Sequence, residues 1–229
     1  MTGAVAPGTP APNPDRKALA STGALVRARL EADPGAWRLP TDKAEVYAVR
    51  DFLDAGECAR MIGVIDAAAR PSALLTHAGE LPEYRTSYSG DVDRTDPFIR
   101  MIERRIDDLV GLTGGEGETL QGQRYEPGQE FKAHCDWFWT LGDYWADEAK
   151  RGGQRSWTTL IFLNEVEEGG ATEFPKLGLS IPPQPGVLLT WNNALPDGDI
   201  NWDTLHAGTP VVKGVKHVVT KWYRTRKWG

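Results

Sequence analysis

Cysteine is almost missing from this chain, with two in 229 residues, Cys58 and Cys135. That excludes a disulfide framework, and both are read as buried or half-buried thiols. Positive charge is in deficit, 26 Lys and Arg against 32 Asp and Glu, for a net charge of −6. A nucleic-acid groove needs clustered cations to displace counterions, so nucleic acid is not expected as a partner. The basic stretch from Lys221 to Lys227 reads as a solvated strand end. Long apolar runs are lacking too, and residues 1–14 (MTGAVAPGTPAPNP) have neither a basic start nor a hydrophobic segment. They predict no secretory leader and no membrane anchor, and hence a cytoplasmic, reducing location. Neither an internal repeat nor a low-complexity core segment is visible.

What is present suffices for one domain around a single core. Residues 1–14 have almost nothing to bury and are expected to form a flexible tail. A helical extension occupies 15–45; its helix runs from Asp15 to Ala32, with Leu19, Leu25, Val26 and Leu30 on one stripe and Pro34-Gly35 as the stop. The extension either covers the outside of a sheet or contributes to a dimer. Val46 to Phe52 alternates like a strand, and Asp54 caps a helix through Ala69 on which Cys58, Met61, Ile62 and Ile65 keep the helical period. Thr95 or Asp96 caps another, with Pro97 first and Phe98, Ile102, Ile106 and Leu109 inward.

From Glu118 onward the period changes to two. Pro127-Gly128 fits a type II turn, so 121–126 and 129–137 are expected to pair as a hairpin. Further strands are expected at 156–166, 171–174, 186–192, 203–209 and 216–224. Two amphipathic helices ahead of many short strands predict an α+β chain, mainly β, folded as a sandwich or jelly roll and buttressed by N-terminal helices.

Two stretches carry chemistry. The first, Tyr125 to Phe138 (YEPGQEFKAHCDWF), contains His134 and Asp136; the second, Thr204 to Lys216 (TLHAGTPVVKGVK), contains His206 and Lys216. If 131–137 is a strand, side chains at i and i+2 share a face, about 7 Å apart at their Cα atoms. His134 and Asp136 then converge, and His206 from a distant strand completes a 2-His-1-carboxylate set with open positions, the arrangement of non-haem Fe(II) oxygenases. His77, in a loop, and His217, on the opposite parity from Lys216, are read as structural. Lys216 shares one face of a largely apolar strand with Val218, Thr220 and Trp222, so it is expected to point inward, where it needs an anion. Tryptophans crowd the chain after His134, including Trp137, Trp139, Trp145, Trp191 and Trp202. Such rings suit a substrate groove, while several must belong to the core. The polar segment 140–154 (TLGDYWADEAKRGGQ) is expected to be a mobile lid or substrate loop.

From about Tyr47 to Trp228 these strings resemble the prolyl 4-hydroxylase type of 2-oxoglutarate-dependent Fe(II) dioxygenases, the collagen-type catalytic domain and its bacterial relatives. They do so through the tyrosine ahead of His-x-Asp, a Gly-Gly-x-Thr turn, and His-x-Gly-x-Pro-x-x-x-Gly-x-Lys. The resemblance implies a double-stranded β-helix at 46–229 and a hydroxylase that uses Fe(II), 2-oxoglutarate, O2 and ascorbate. It implies that His134, Asp136 and His206 hold the metal, that Lys216 grips the distal carboxylate of 2-oxoglutarate, and that the Tyr125 hydroxyl joins it, with Thr158 as a further polar contact. Trp222 matches a family tryptophan that walls the site, though an ordinary core aromatic is equally compatible. Arg85 and Arg155 match arginines on the substrate side, with a surface role as the alternative. The substrate is a peptidyl proline or, with the same cofactors, a free amino acid or other small molecule. A jelly-roll metal-binding protein without activity is the rival that an inward Lys216 argues against.

Overall fold

The computed structural model describes residues 13–68, 70–71, 85–113 and 115–229. His77 and most of the tail expected at 1–14 lie outside them. In chain order come α1 (Arg16–Glu31), β1 (Ala36–Arg38), β2 (Val46–Val49), α2 (Ala55–Ala68) and β3 (Arg70–Pro71). Next are β4 (Tyr88–Asp91), α3 (Pro97–Val110), β5 (Gln121–Tyr125), β6 (Phe131–His134), α4 (Trp145–Arg151) and β7 (Arg155–Phe162). The chain ends with β8 (Glu168–Gly169), β9 (Thr172–Phe174), β10 (Leu179–Ile181), β11 (Leu188–Asn192), β12 (His206–Gly208), β13 (Val211–Lys213) and β14 (Lys216–Arg224).

α2 and α3 start where carboxylate side chains satisfy free backbone N–H groups. Ahead of α2, the Glu57 N–H donates to Asp54 Oδ1 at 2.8 Å and the Asp54 N–H donates to Glu57 Oε2 at 3.1 Å, a reciprocal capping box. Asp96 caps α3 by accepting from the Phe98 N–H at 2.7 Å, and Pro97 occupies the first helical position. On α1 the buried stripe is Leu19, Gly23, Val26 and Leu30. Leu25, expected on it, is 51% exposed, because the helical period from Leu19 passes through Gly23 and Val26 instead.

An antiparallel eight-stranded sheet, in the order β1-β2-β11-β7-β14-β5-β4-β3, faces a four-stranded sheet, β10-β9-β12-β6. This is the jelly-roll sandwich, and strand parity assigns its two cores. On one side of the large sheet Trp157, Ile161, Leu188, Val219 and Tyr223 pack with Val26 and Leu30 of α1, Met61 and Ile65 of α2, and Ile102 and Ile106 of α3. On the other side Leu160, Phe162, Leu189, Trp191 and Val218 meet Phe174 of the small sheet. α1 therefore shares a core with the large sheet. Every residue of β14 is buried, since both its faces are covered. Close approach of α2 requires Gly122: a Cβ there would lie 2.5 Å from Cγ1 of Ile65. No helix among the described residues is long and apolar enough to cross a membrane.

Four local expectations change. The Pro127-Gly128 turn forms, with Gly128 at φ 84° and the Gln129 N–H donating to Glu126 O at 2.9 Å, but it does not close a hairpin. β5 pairs with β14 and β4, while β6 pairs with β12, so the turn carries the chain from one sheet to the other. The strand expected over 131–137 stops at His134, leaving Asp136 in a bend. Segment 140–154 contains α4, which is anchored through buried Glu148 to Arg224. Finally, the start of Lys221–Lys227 is not solvated: Lys221 and Arg224 are buried in ion pairs with carboxylates from α3, α4 and Glu118.

Candidate active site

Register places the first pair of polar groups. In the small sheet His206 of β12 lies directly across from His134 of β6, with ring centroids 4.3 Å apart. Asp136, just past β6, turns its carboxylate between them: Oδ1 is 3.8 Å from His134 Nε2 and Oδ2 is 3.6 Å from His206 Nε2. One ligand atom from each of the three lies within 4.8 Å of the others. Each imidazole has its Nδ1 against a backbone carbonyl, Lys132 O at 2.8 Å and Thr204 O at 2.9 Å. A carbonyl can only accept, so Nδ1 carries the proton and the lone pair of Nε2 faces the shared space. Burial, reinforced by His206, pulls His134 down to about 3, keeping it neutral. Burial pushes Asp136 up, but His206, His134, Arg155 and the Thr158 hydroxyl together hold it below the usual carboxylate range. Two imidazoles presenting Nε2 and an ionised carboxylate suit a divalent iron.

In the large sheet, register sets Lys216 opposite Tyr125. Lys216 is 2% exposed and reaches the same pocket as the triad, lined also by Gln123, Phe131, Leu160, Thr172, Trp191, Gly208, Val218, Thr220 and Trp222. Its Nζ lies 5.4 Å from the ring centre of Tyr125 and 5.7 Å from that of Phe162, and no carboxylate pairs with it among the described residues. Burial alone lowers it to about 7. An unpartnered buried ammonium facing a metal-ligand set is a fit for a dicarboxylate that also reaches the metal. The indole N–H groups of Trp191 and Trp222, on the same pocket, are likewise buried without an acceptor. The Tyr125 hydroxyl donates to Gln123 Oε1 at 2.8 Å, and Gln123 Nε2 donates to Thr220 Oγ1 at 3.0 Å. Gln123 and Thr220 were not singled out from sequence, although each shares a strand face with a residue that was.

The remaining expected residues stand around this pocket. Thr158 does not line it: its hydroxyl donates to Asp136 Oδ2 at 2.8 Å and accepts from Asn193 Nδ2 at 2.9 Å, so it orients the carboxylate. Trp222 does line it, 7% exposed, with the Arg155 guanidinium 4.1 Å from its ring centre. Arg155 makes a bidentate pair with Glu118 at 2.8 and 2.9 Å and lies 3.7 Å from Asp136 Oδ1. Glu118 in turn accepts from Arg224 at 2.8 Å, and this net of charge extends to Glu148 on α4. Arg85 is buried, donating to Ser87 at 3.1 Å and Gln121 at 3.0 Å, with its guanidinium 4.9 Å from the Phe131 ring centre. Neither arginine is a surface residue. His217 has the structural place expected for it, 3.0 Å from Asp66.

The pattern of the 2OG-Fe(II) oxygenase superfamily matches residues 120–224, which span both sides of this pocket. A probable prolyl 4-hydroxylase (number 3) of Arabidopsis thaliana is 33% identical over 201 residues, 77% of this chain and 68% of that protein. The mouse prolyl 4-hydroxylase subunit alpha-1 is 32% identical over 193 residues, 81% of this chain and 35% of that subunit. Among solved structures, the 2OG complex of the viral collagen prolyl hydroxylase from Paramecium Bursaria Chlorella virus-1 superposes with a TM-score of 0.62 at 26% identity, covering 77% of this chain and 94% of that one.

Proposed function

The chain belongs to the prolyl 4-hydroxylase type of the 2OG-Fe(II) oxygenase superfamily, and from that premise we propose that its pocket hydroxylates proline within a peptide. It is an Fe(II)- and 2-oxoglutarate-dependent dioxygenase. We assign the metal to His134 Nε2, His206 Nε2 and the Asp136 carboxylate, and the far carboxylate of 2-oxoglutarate to Lys216 with the Tyr125 hydroxyl. The observation that carries the assignment is the buried, unpaired Lys216 on the pocket that the triad also lines. A purely structural metal site has no use for that cation.

Bound iron with 2-oxoglutarate and O2 supplies the oxidising power that turns a substrate C–H into C–OH, with release of succinate and carbon dioxide. The protein's own residues do the rest. The carbonyls of Lys132 and Thr204 fix both imidazole tautomers, while Thr158 and Arg155 hold Asp136 ionised and oriented. Tyr125, Phe131, Leu160 and Val218 give the pocket an apolar lining against bulk water, and Trp222 walls it beside Arg155. Ascorbate is assigned the task of keeping the metal reduced. The free thiols Cys58 and Cys135 support a reducing, cytoplasmic setting, and the net charge of −6 supports a peptide over a nucleic acid.

The test is to supply Fe(II), 2-oxoglutarate and ascorbate with proline-containing peptides or with free L-proline, and to follow succinate release and the gain of one oxygen atom by mass spectrometry. Hydroxylated prolyl peptide is the expected product. Oxidation of the free amino acid with no peptide touched would replace peptidyl proline by a small-molecule substrate.

A further inference from the structure

Trp139 and Trp202 come from different loops and stack on each other, with ring centroids 5.3 Å apart and planes 26° apart, yet they remain 40% and 48% exposed. Each loop also delivers a metal-site residue. Trp139 follows Asp136 within three residues and Trp202 precedes His206 by four, so chain reach keeps both Cα atoms within roughly 11–14 Å of those ligands. Leu141, two residues after Trp139, is 77% exposed, and the Lys176 ammonium lies 5.5 Å from the Trp202 ring centre. We propose that this indole pair is a docking face for an extended, proline-bearing peptide, gripping residues that flank the one being hydroxylated.

The proposal rests on the peptide reading of the pocket and gives it a length requirement. If the stack served only to clip the two ligand loops together, nothing would require so much indole area to stay in water beside the site. Indole is the side chain most favoured where a peptide must be gripped over a small area. Its flat face also matches the ring of proline in a polyproline II segment, whose preformed extended shape lowers the entropy lost on docking. The three- and four-residue tethers to Asp136 and His206, which do line the pocket, select the substrate's own flanks as the occupant. Lys176, beside the Trp202 ring, would attract a carbonyl oxygen or an acidic side chain of the same peptide.

The experiment compares a long proline-rich peptide with a capped tripeptide holding the same central proline, using the iron- and 2-oxoglutarate-loaded full chain. Wild type, Trp139→Ala/Trp202→Ala and Trp139→Phe/Trp202→Phe are assayed, and binding of a fluorescently labelled long peptide is followed by anisotropy. In the double alanine variant KM for the long peptide is expected to rise at least ~10-fold, with weaker binding to match, and to recover partly with phenylalanine. KM for the tripeptide and for 2-oxoglutarate should not move. Equal losses on both peptides, or a shift in the 2-oxoglutarate requirement, would make the stack a clip for the metal loops and overturn the proposal. So would unchanged kinetics, or a change in sedimentation that assigns the pair to self-association. Wild type that hydroxylates peptides with no dependence on length would sink the docking face alone. Wild type that hydroxylates no peptide would sink the peptide reading and the docking face with it.

Discussion

β14 buries a lysine on each of its faces, and the two have opposite surroundings. Lys221, 0% exposed, points toward the helices, with Asp107 Oδ1 at 3.1 Å and Glu103 Oε1 at 3.4 Å on α3. Lys216, 2% exposed, points between the sheets and meets the faces of Tyr125 and Phe162 with no carboxylate beside it. A buried ammonium with counter-charges already in place is part of the framework. One without them is costly to the fold and fits an anion that arrives from outside. The same residue type on the same strand thus separates structure from function.

That contrast breaks most visibly when one substitution is made at both places. Lys221→Met should cost about 3–5 kcal/mol of unfolding free energy, because it leaves the buried Glu103 and the half-buried Asp107 against an apolar chain, with only Arg94 and the Tyr223 hydroxyl remaining beside them among the described residues. Burial already pushes Asp107 above the usual carboxylate range, with Lys221 opposing it. Urea melts of the ligand-free protein would show the loss, and unchanged stability would mean that the α3 carboxylates find other partners.

Lys216→Met should act with the opposite sign. Its ammonium is held at about 7 in the fold against an ordinary value of 10.5. Between those values the unfolded chain binds the extra proton, so stability rises with pH across that window and the penalty is fully present below pH 7. Removing the amine should stabilise the ligand-free protein by up to ~4 kcal/mol near neutral pH and flatten its stability profile between pH 7 and pH 10. A destabilised variant with an unchanged profile would place a hidden anion beside Lys216.

A smaller effect sharpens the same point. If the anion must meet a protonated amine, 2-oxoglutarate binding above pH 7 takes up a proton, and affinity should fall by up to ~10-fold per pH unit there. Calorimetry in buffers of different ionisation enthalpy reads that uptake directly. Wild type should show it and Lys216→Met should not. Equal uptake in both would assign the proton elsewhere.

The two lysines also show what could be read from the sequence. Parity with Val218, Thr220 and Trp222 turned Lys216 inward, and the structure has it there. The same parity turns Lys221 to the other face, but its burial depends on α3 crossing that face, which no local pattern announces; the residue therefore read as solvated. His134, Asp136 and His206 were legible as a set from their types and spacing. Asp136 reaches its place from a bend beyond β6, so the two-residue periodicity gave the right convergence for the wrong backbone. Pro127-Gly128 specified its turn, yet strand partners are chosen by long-range pairing, and β5 went to β14. In segment 140–154 polar composition hid α4, which is anchored where Glu148 meets Arg224. Arg155 and Thr158 were matched to the pocket from sequence, and only the fold shows that both act on Asp136.

The most direct measurement is an anaerobic titration of 2-oxoglutarate into the Fe(II)-loaded protein, following the weak visible charge-transfer absorption of the chelate in wild type, Lys216→Ala and Lys221→Ala. Truncating one partner of a buried charge pair typically costs about 2–5 kcal/mol. Wild type and Lys221→Ala should therefore develop the absorption at the same 2-oxoglutarate concentration, while Lys216→Ala should need at least ~30-fold more with its iron affinity intact. No absorption in wild type, or a Lys216→Ala curve lying on the wild-type one, would contradict the assignment of the unpaired lysine to the cosubstrate.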